Sequence, residues 1–159
     1  MSENKKYELL KDDTITTPSG RTLYRIKALV AIGLLVAPGE LGGYVENENN
    51  LSLSGDAWVS GNARVYGDAQ VSGNAQVYGD ARVKSRYDIQ WFSNVGSESG
   101  TLTVCKAKRG LFVSRGCFSG TLPQFKKAVK AKHGDSKIGR HYATLIKSIE
   151  IWFREEKAK

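Results

Sequence analysis

The sequence of 159 residues predicts a mainly β chain: a short solenoid of parallel strands, followed by a small α+β module made of a β-meander and two helices. Three observations carry this. Five six-residue repeats run in register from Gly55 to Lys84. The register then breaks into segments of β-branched and aromatic residues separated by turn residues. After Thr121, apolar residues recur three and four positions apart behind helix-capping residues. The organisation that follows is residues 1–50 as an N-terminal strand and cap region, 51–84 as the repeats, and 85–159 as a basic α+β module.

In the first region, Thr22-Leu-Tyr-Arg-Ile-Lys-Ala-Leu alternates as a strand, with Pro18-Ser-Gly before it as a turn. The longest apolar run, Leu29 to Pro38, contains a glycine and is about half of the roughly 20 residues a bilayer needs, so no membrane span is expected. Charges occupy the N-terminal stretch, where a signal peptide needs an apolar segment, and the expectation is a cytoplasmic product.

The repeats read Gly55-Asp-Ala-Trp-Val-Ser, Gly61-Asn-Ala-Arg-Val-Tyr, Gly67-Asp-Ala-Gln-Val-Ser, Gly73-Asn-Ala-Gln-Val-Tyr and Gly79-Asp-Ala-Arg-Val-Lys. Within each, Ala and Val are separated by one residue and point to one side of a short strand. Glycine followed by Asp or Asn supplies the corner, because both tolerate left-handed backbone. By the same parity Trp58, Tyr66 and Tyr78 face outward, and exposed aromatics on a flat face are read as a subunit interface. Leu51 and Leu53 are expected to extend the inward register.

These hexads resemble those of the hexapeptide-repeat proteins, whose strands wind into a left-handed parallel β-helix with three hexads per coil. Ser, Tyr or Lys after the valine departs from the small or acidic residue often found there. The wider stretch, with Leu41-Gly-Gly-Tyr-Val-Glu and Asn50-Leu-Ser, resembles a group of phage and prophage proteins of unassigned role. The resemblance implies a homo-oligomer, a trimer first, and for a phage product the host cytoplasm. A coil of three hexads would stack Asp56 beside Asn74 and Asn62 beside Asp80, so that no carboxylate lies on another. It would also set Arg64 beside Arg82 and Tyr66 beside Lys84, a cationic stripe. So few coils leave open ends that need caps or partners.

In the second half, Tyr87-Asp-Ile-Gln-Trp-Phe, Thr101-Leu-Thr-Val-Cys-Lys-Ala and Leu111-Phe-Val-Ser-Arg-Gly-Cys read as three strands joined at Gly96–Gly100 and Lys108–Gly110. A turn at 108–110 would pair Cys105 with Val113, so Cys105 and Cys117 should not meet, and neither a disulfide nor a zinc site is expected. Thr121-Leu-Pro-Gln has the form of a capping box opening a helix that ends near His133-Gly134. Asp135 or Ser136 caps a second helix with an apolar stripe of Ile138, Tyr142, Leu145, Ile149 and Trp152, widened by Ile146 and Phe153. Glu150 and Arg154 are expected to pair on its solvated face.

Residues 1–84 hold nine basic and ten acidic groups and 85–159 hold fifteen and six, so the net charge of +8 belongs to the second half. Such an excess attracts polyanions. The candidate contacts are Lys126, Lys127, Lys130, Lys137 and Arg140 around the helices, with Arg64, Arg82 and Lys84 on the repeats, the plain alternative for the helical group being a solvated face. Calcium is not expected at Asp56, Asp68 and Asp80, because the alternating Asn halves the charge. His133 and His141 both lie outside the repeats, so binding rather than catalysis is the expectation, without cofactor. The partner expected is a host protein, a nucleic acid or an anionic nucleotide. A small hexapeptide-repeat acyltransferase using acetyl-CoA is the alternative that the resemblance supplies.

Overall fold

In a computed structural model of the chain, residues 4–34, 36–116 and 118–154 are described. Strands dominate, and two helices close the sequence. β1 (Tyr7–Thr16) and β2 (Thr22–Ala28) form an antiparallel hairpin whose turn at Pro18–Gly20 is the expected one. β1 itself does not show in the sequence, because a register shift between Leu10 and Thr14 interrupts its alternation. β3 (Leu41–Val45) lies antiparallel to β2 and then parallel to β5 (Arg64–Val65), which is parallel to β7 (Arg82–Val83). One five-stranded sheet therefore runs from the N-terminal hairpin along a side of the repeats, in the order β1-β2-β3-β5-β7.

β4 (Trp58–Val59) and β6 (Gln76–Val77) pair in parallel on a second side, and a parallel bridge from Leu51 to Val71 marks a third. Strand partners within the repeats are three hexads apart, as Val59 with Val77 and Val65 with Val83. The five alanines and five valines are buried along the axis, and each leading glycine has positive φ, as at Gly61 (63°) and Gly67 (66°). The first coil is longer: Val45 meets Val65 and Leu51 meets Val71, each two positions beyond the three-hexad spacing. The extra pair falls between Leu51 and Val59, and an even number leaves inward positions inward. Leu51 is accordingly buried, whereas Leu53, expected in the same inward register, is exposed.

Both ends of this stack are closed from within the chain. At the N-terminal end, the buried Lys6 Nζ donates to the carbonyls of Ser52 (2.8 Å) and Ala57 (2.9 Å), and Tyr7 OH donates to those of Glu48 (3.1 Å) and Leu51 (2.7 Å). At the other end stands a meander of four strands rather than three: β8 (Ile89–Val95), β9 (Gly100–Lys106), β10 (Leu111–Arg115) and β11 (Phe118–Gly120), in the order β11-β10-β9-β8. Its two faces alternate. Ile89, Cys105 and Phe112 join the core of the repeats, while Val95, Leu102, Val104 and Val113 join a second core beneath the helices. The buried hydroxyls of Thr103 and Ser114 serve the free edge of β6: Gln76 N–H donates to Thr103 Oγ1 (3.1 Å), and Ser114 Oγ donates to Gln76 O (3.0 Å). The first core thus draws residues from all three segments of the chain.

α1 (Leu122–His133) and α2 (Lys137–Phe153) start as their caps predict, with a complete Thr121/Gln124 capping box and Ser136 at the second N-cap. The buried face of α2 is centred on Tyr142, Ile146, Ile149 and Phe153, so Ile138 and Leu145 are only partly covered. Trp152 is exposed and donates its indole N–H to Tyr87 O (3.0 Å). Glu150 pairs with Lys126 of α1 at 3.0 Å instead of with Arg154. Cys105 pairs with Phe112 across β9 and β10, one residue from the expected Val113. Cys117 lies outside the described residues.

Two outcomes follow for the shared sheet. Phe112→Ala should cost about 3–5 kcal/mol in a denaturant titration, the range for a buried phenylalanine that leaves a cavity. Burial, followed by Asp80 and Asp88, pushes the Cys105 thiol well above its ordinary range. Native protein treated with an alkylating reagent at neutral pH should therefore leave the Cys105 peptide unmodified, and rapid labelling there would show that the cap opens.

Candidate anion-binding surface

Pairing along the five-stranded sheet sets four side chains in one outward row. Arg25 of β2 lies opposite Tyr44 of β3, Tyr44 beside Arg64 of β5, and Arg64 beside Arg82 of β7. Adjacent strands are about 4.8 Å apart, so the row is continuous at the scale of a guanidinium. Arg64 and Arg82 each stand between a buried alanine and a buried valine, which fixes their outward direction.

The two ends of the row differ in charge balance. Arg25 is neutralised: its Nε donates to Asp13 (2.8 Å), an amino group donates to Tyr44 OH (2.6 Å), and the guanidinium lies 4.4 Å from the centre of the Tyr44 ring. Tyr44 OH in turn donates to Asp13 (3.1 Å). Arg64 and Arg82 form no ion pair among the described residues. Among the described residues Arg82 donates to the carbonyls of Ala81 (2.9 Å) and Asn62 (3.3 Å) alone, and Arg64 Nε is buried with no partner there. Burial, and after it the charge of Arg64, holds the Arg82 guanidinium below its ordinary pKa. Adjacent like charges across strands destabilise a sheet, and an unpartnered buried donor adds a desolvation cost. An anion with two or three acceptor oxygens spanning the guanidiniums of Arg64 and Arg82 would relieve the repulsion.

The other expected contacts are dispersed. Lys84 is exposed two residues beyond Arg82. Lys126 is tied to Glu150, Lys130 lines the groove between α1 and α2, and Lys127 is exposed on α1. Lys137 opens α2, and Arg140 donates to Asp135 O (2.8 Å). These cations surround the second core, whereas the arginine pair belongs to the sheet over the first. His133 is half-buried at the end of α1 and His141 is exposed on α2.

The aromatic surface needs correction. Trp58 is 1% exposed: it points out of the repeats as parity requires, but Tyr7 covers it at 6.3 Å between ring centres and Gly42 packs on its ring. A Cβ on Gly42 would lie 2.8 Å from Trp58 Cζ2, so only glycine admits the indole. Trp58 is thus unavailable to a second subunit. Tyr78 is half-buried edge-on against Phe112 at 4.7 Å, and Tyr66 is half-buried.

Arg25 and Tyr44 are not singled out by the sequence. Their signal is weak, since one joins the row by antiparallel pairing and the other across the longer first coil. No group of three or more His, Cys, Asp or Glu suited to a metal occurs among the described residues, and no described helix is long and apolar enough to cross a membrane. Compared with protein-family models and with curated proteins, the chain matches none.

The like-charged pair predicts an unusual stability result. Arg82→Gln should leave stability unchanged or raise it by up to about 1 kcal/mol in urea unfolding, because a cross-strand repulsion is removed. A loss larger than that would mark Arg82 as a structural residue.

Proposed function

We propose that the protein is a non-catalytic, oligomeric anion-binding scaffold. In this reading the repeats form a short left-handed parallel β-helix of the hexapeptide-repeat type, in a phage-type effector acting in the host cytoplasm. The observation that carries the binding role is the Arg64–Arg82 pair: two adjacent cations that form no ion pair among the described residues, Asp80 acting on Arg82 only through its more distant charge. Such a pair is retained at a cost to stability, as binding sites commonly are. The ligand class is a phosphate-bearing polyanion, because bidentate guanidiniums match phosphate oxygens. The acyltransferase alternative gains no support from geometry, since both histidines lie among the helices.

The test is fluorescence anisotropy of a labelled single-stranded oligonucleotide over a range of salt. The double variant Arg64→Gln/Arg82→Gln should weaken binding about tenfold or more and lower the log–log salt slope by about 1.4, at about 0.7 per lost phosphate contact. The triple variant Lys126→Gln/Lys127→Gln/Lys130→Gln should retain most of the affinity. The reverse pattern would move the site to α1. Binding to an acidic polypeptide but not to the oligonucleotide would replace nucleic acid with an acidic protein.

The same reading makes the chain a homo-oligomer, with a trimer favoured. Its support is that Leu29, Val30 and Leu41 are exposed large apolar residues and Leu34 is wholly exposed, all within one stretch of 13 residues. Light scattering should give three times the 17.5 kDa chain mass, and a particle of one chain mass at micromolar concentration would refute assembly.

A further inference from the structure

A cavity of about 370 Å³ lies between the turn joining β8 to β9, strand β11 and the inner sides of the two helices. Arg115 of β10 stands at its base with a side chain only 11% exposed. Its Nε donates to Tyr142 OH (3.0 Å) and one amino group to Val95 O (3.2 Å). The other amino group faces Glu98 at 3.8 Å, too long for a hydrogen bond, and Glu98 is 79% exposed. The guanidinium is held in a slot that two glycines leave open. A Cβ on Gly100 would lie 2.9 Å from Arg115 Cζ, and one on Gly96 would lie 2.8 Å from an Arg115 amino nitrogen and collide with Tyr142 OH.

This cation is therefore fixed in place with a weak, solvated counter-ion. Tyr142 OH accepts from Arg115, and its own hydrogen has no acceptor among the described residues. Lys132 and His133 add positive or protonatable groups at the rim. Above the polar base the lining is aromatic and aliphatic: Phe118 and Phe125 stand 5.2 Å apart, Tyr142 meets Phe125 edge-on at 5.4 Å, and Val129 and Ala128 complete the wall. An enclosure with one oriented cation, one free phenolic donor and an apolar wall has the composition of a small-molecule site, and its volume falls in the ordinary range for one.

We propose that this cavity binds a small aromatic acid, whose anionic head displaces Glu98 from Arg115 and accepts from Tyr142 OH while its ring packs against Phe118 and Phe125. The site is separate from the arginine row and does not depend on the polyanion reading. Glu98 acts as an internal competitor, present over the cation when the cavity is empty and swung into solvent when it is filled.

The test is calorimetric titration of the full chain with benzoate, phenyl phosphate, acetate and inorganic phosphate. The aromatic acids should saturate one site and bind about tenfold more tightly than acetate or inorganic phosphate, which lack the apolar body. Glu98→Gln should tighten binding by about threefold or more, because the competitor is removed. Arg115→Gln should weaken it by about tenfold or more. Ala128→Trp, at an exposed position on the wall, should abolish binding by filling the space, and it carries the test together with Glu98→Gln should the Arg115 variant fail to fold. No saturable heat with either aromatic acid for the unaltered chain and Glu98→Gln at about 10 mM would overturn the proposal. Equal affinity for acetate, or indifference to Ala128→Trp, would do the same.

Discussion

A parallel coil of short strands has no natural end: its last turn presents backbone donors and acceptors with no neighbour, and its apolar axis opens to water. In this protein side chains, rather than further strands, satisfy several of those groups. Lys6 and Tyr7 deliver donor hydrogens to carbonyls around the first coil, and Thr103 and Ser114 serve both backbone groups of Gln76 at the edge of the last. Tyr7 opens β1 with Lys6 just before it, and Thr103 and Ser114 lie in β9 and β10; these strands pair with their own neighbours, β1 with β2 and β9 with β10, so the repeats can stop after a few turns. Burying Lys6 is the costly part, since burial holds its pKa below the ordinary lysine value even with Asp56 opposing the shift. The two carbonyls it satisfies offset that cost.

What the sequence makes legible is the local part of this arrangement. The glycine-led hexads locate every inward Ala and Val, and the Thr121/Gln124 box and Ser136 locate both helix starts, because the residues that form each signal are near neighbours in the chain. What it hides is whatever depends on distant pieces meeting. Parity directs Trp58 away from the axis correctly, yet whether that side is wet depends on Tyr7 and Gly42, which arrive from elsewhere in the chain. Leu53 follows the hexad spacing and is nonetheless outside, because the longer first coil admits an extra pair of residues. The alternation of β9 is readable, but not that both of its faces are covered, so Thr103 and Ser114 pass as ordinary strand residues.

The candidate surface divides along the same line. Arg64 and Arg82 follow from a coil of three hexads, and their pairing matches that spacing to the residue. Arg25 and Tyr44 extend the row through an antiparallel neighbour and an irregular coil, neither of which leaves a period in the sequence. The helical lysines stand out by their number in a short stretch of sequence, which does not show that Lys126 is engaged by Glu150 from α2. The charge count marks the second half of the chain as basic, whereas the two arginines that form no ion pair among the described residues lie in the first half.

The meander works as a party wall, with Cys105 and Phe112 belonging to one core and Val104 and Val113, their immediate neighbours, to the other. During synthesis such a wall is built late. A nascent chain that has emerged only as far as Lys84 lacks the strands that finish its coils, and the groups that serve Gln76 arrive only when β9 and β10 leave the ribosome. Exposed strand edges are the ordinary starting point for unwanted pairing between chains. The interval between translation of Lys84 and Arg115 is thus one in which this edge is open to pairing with another chain, and the order of the segments places that interval in the middle of synthesis.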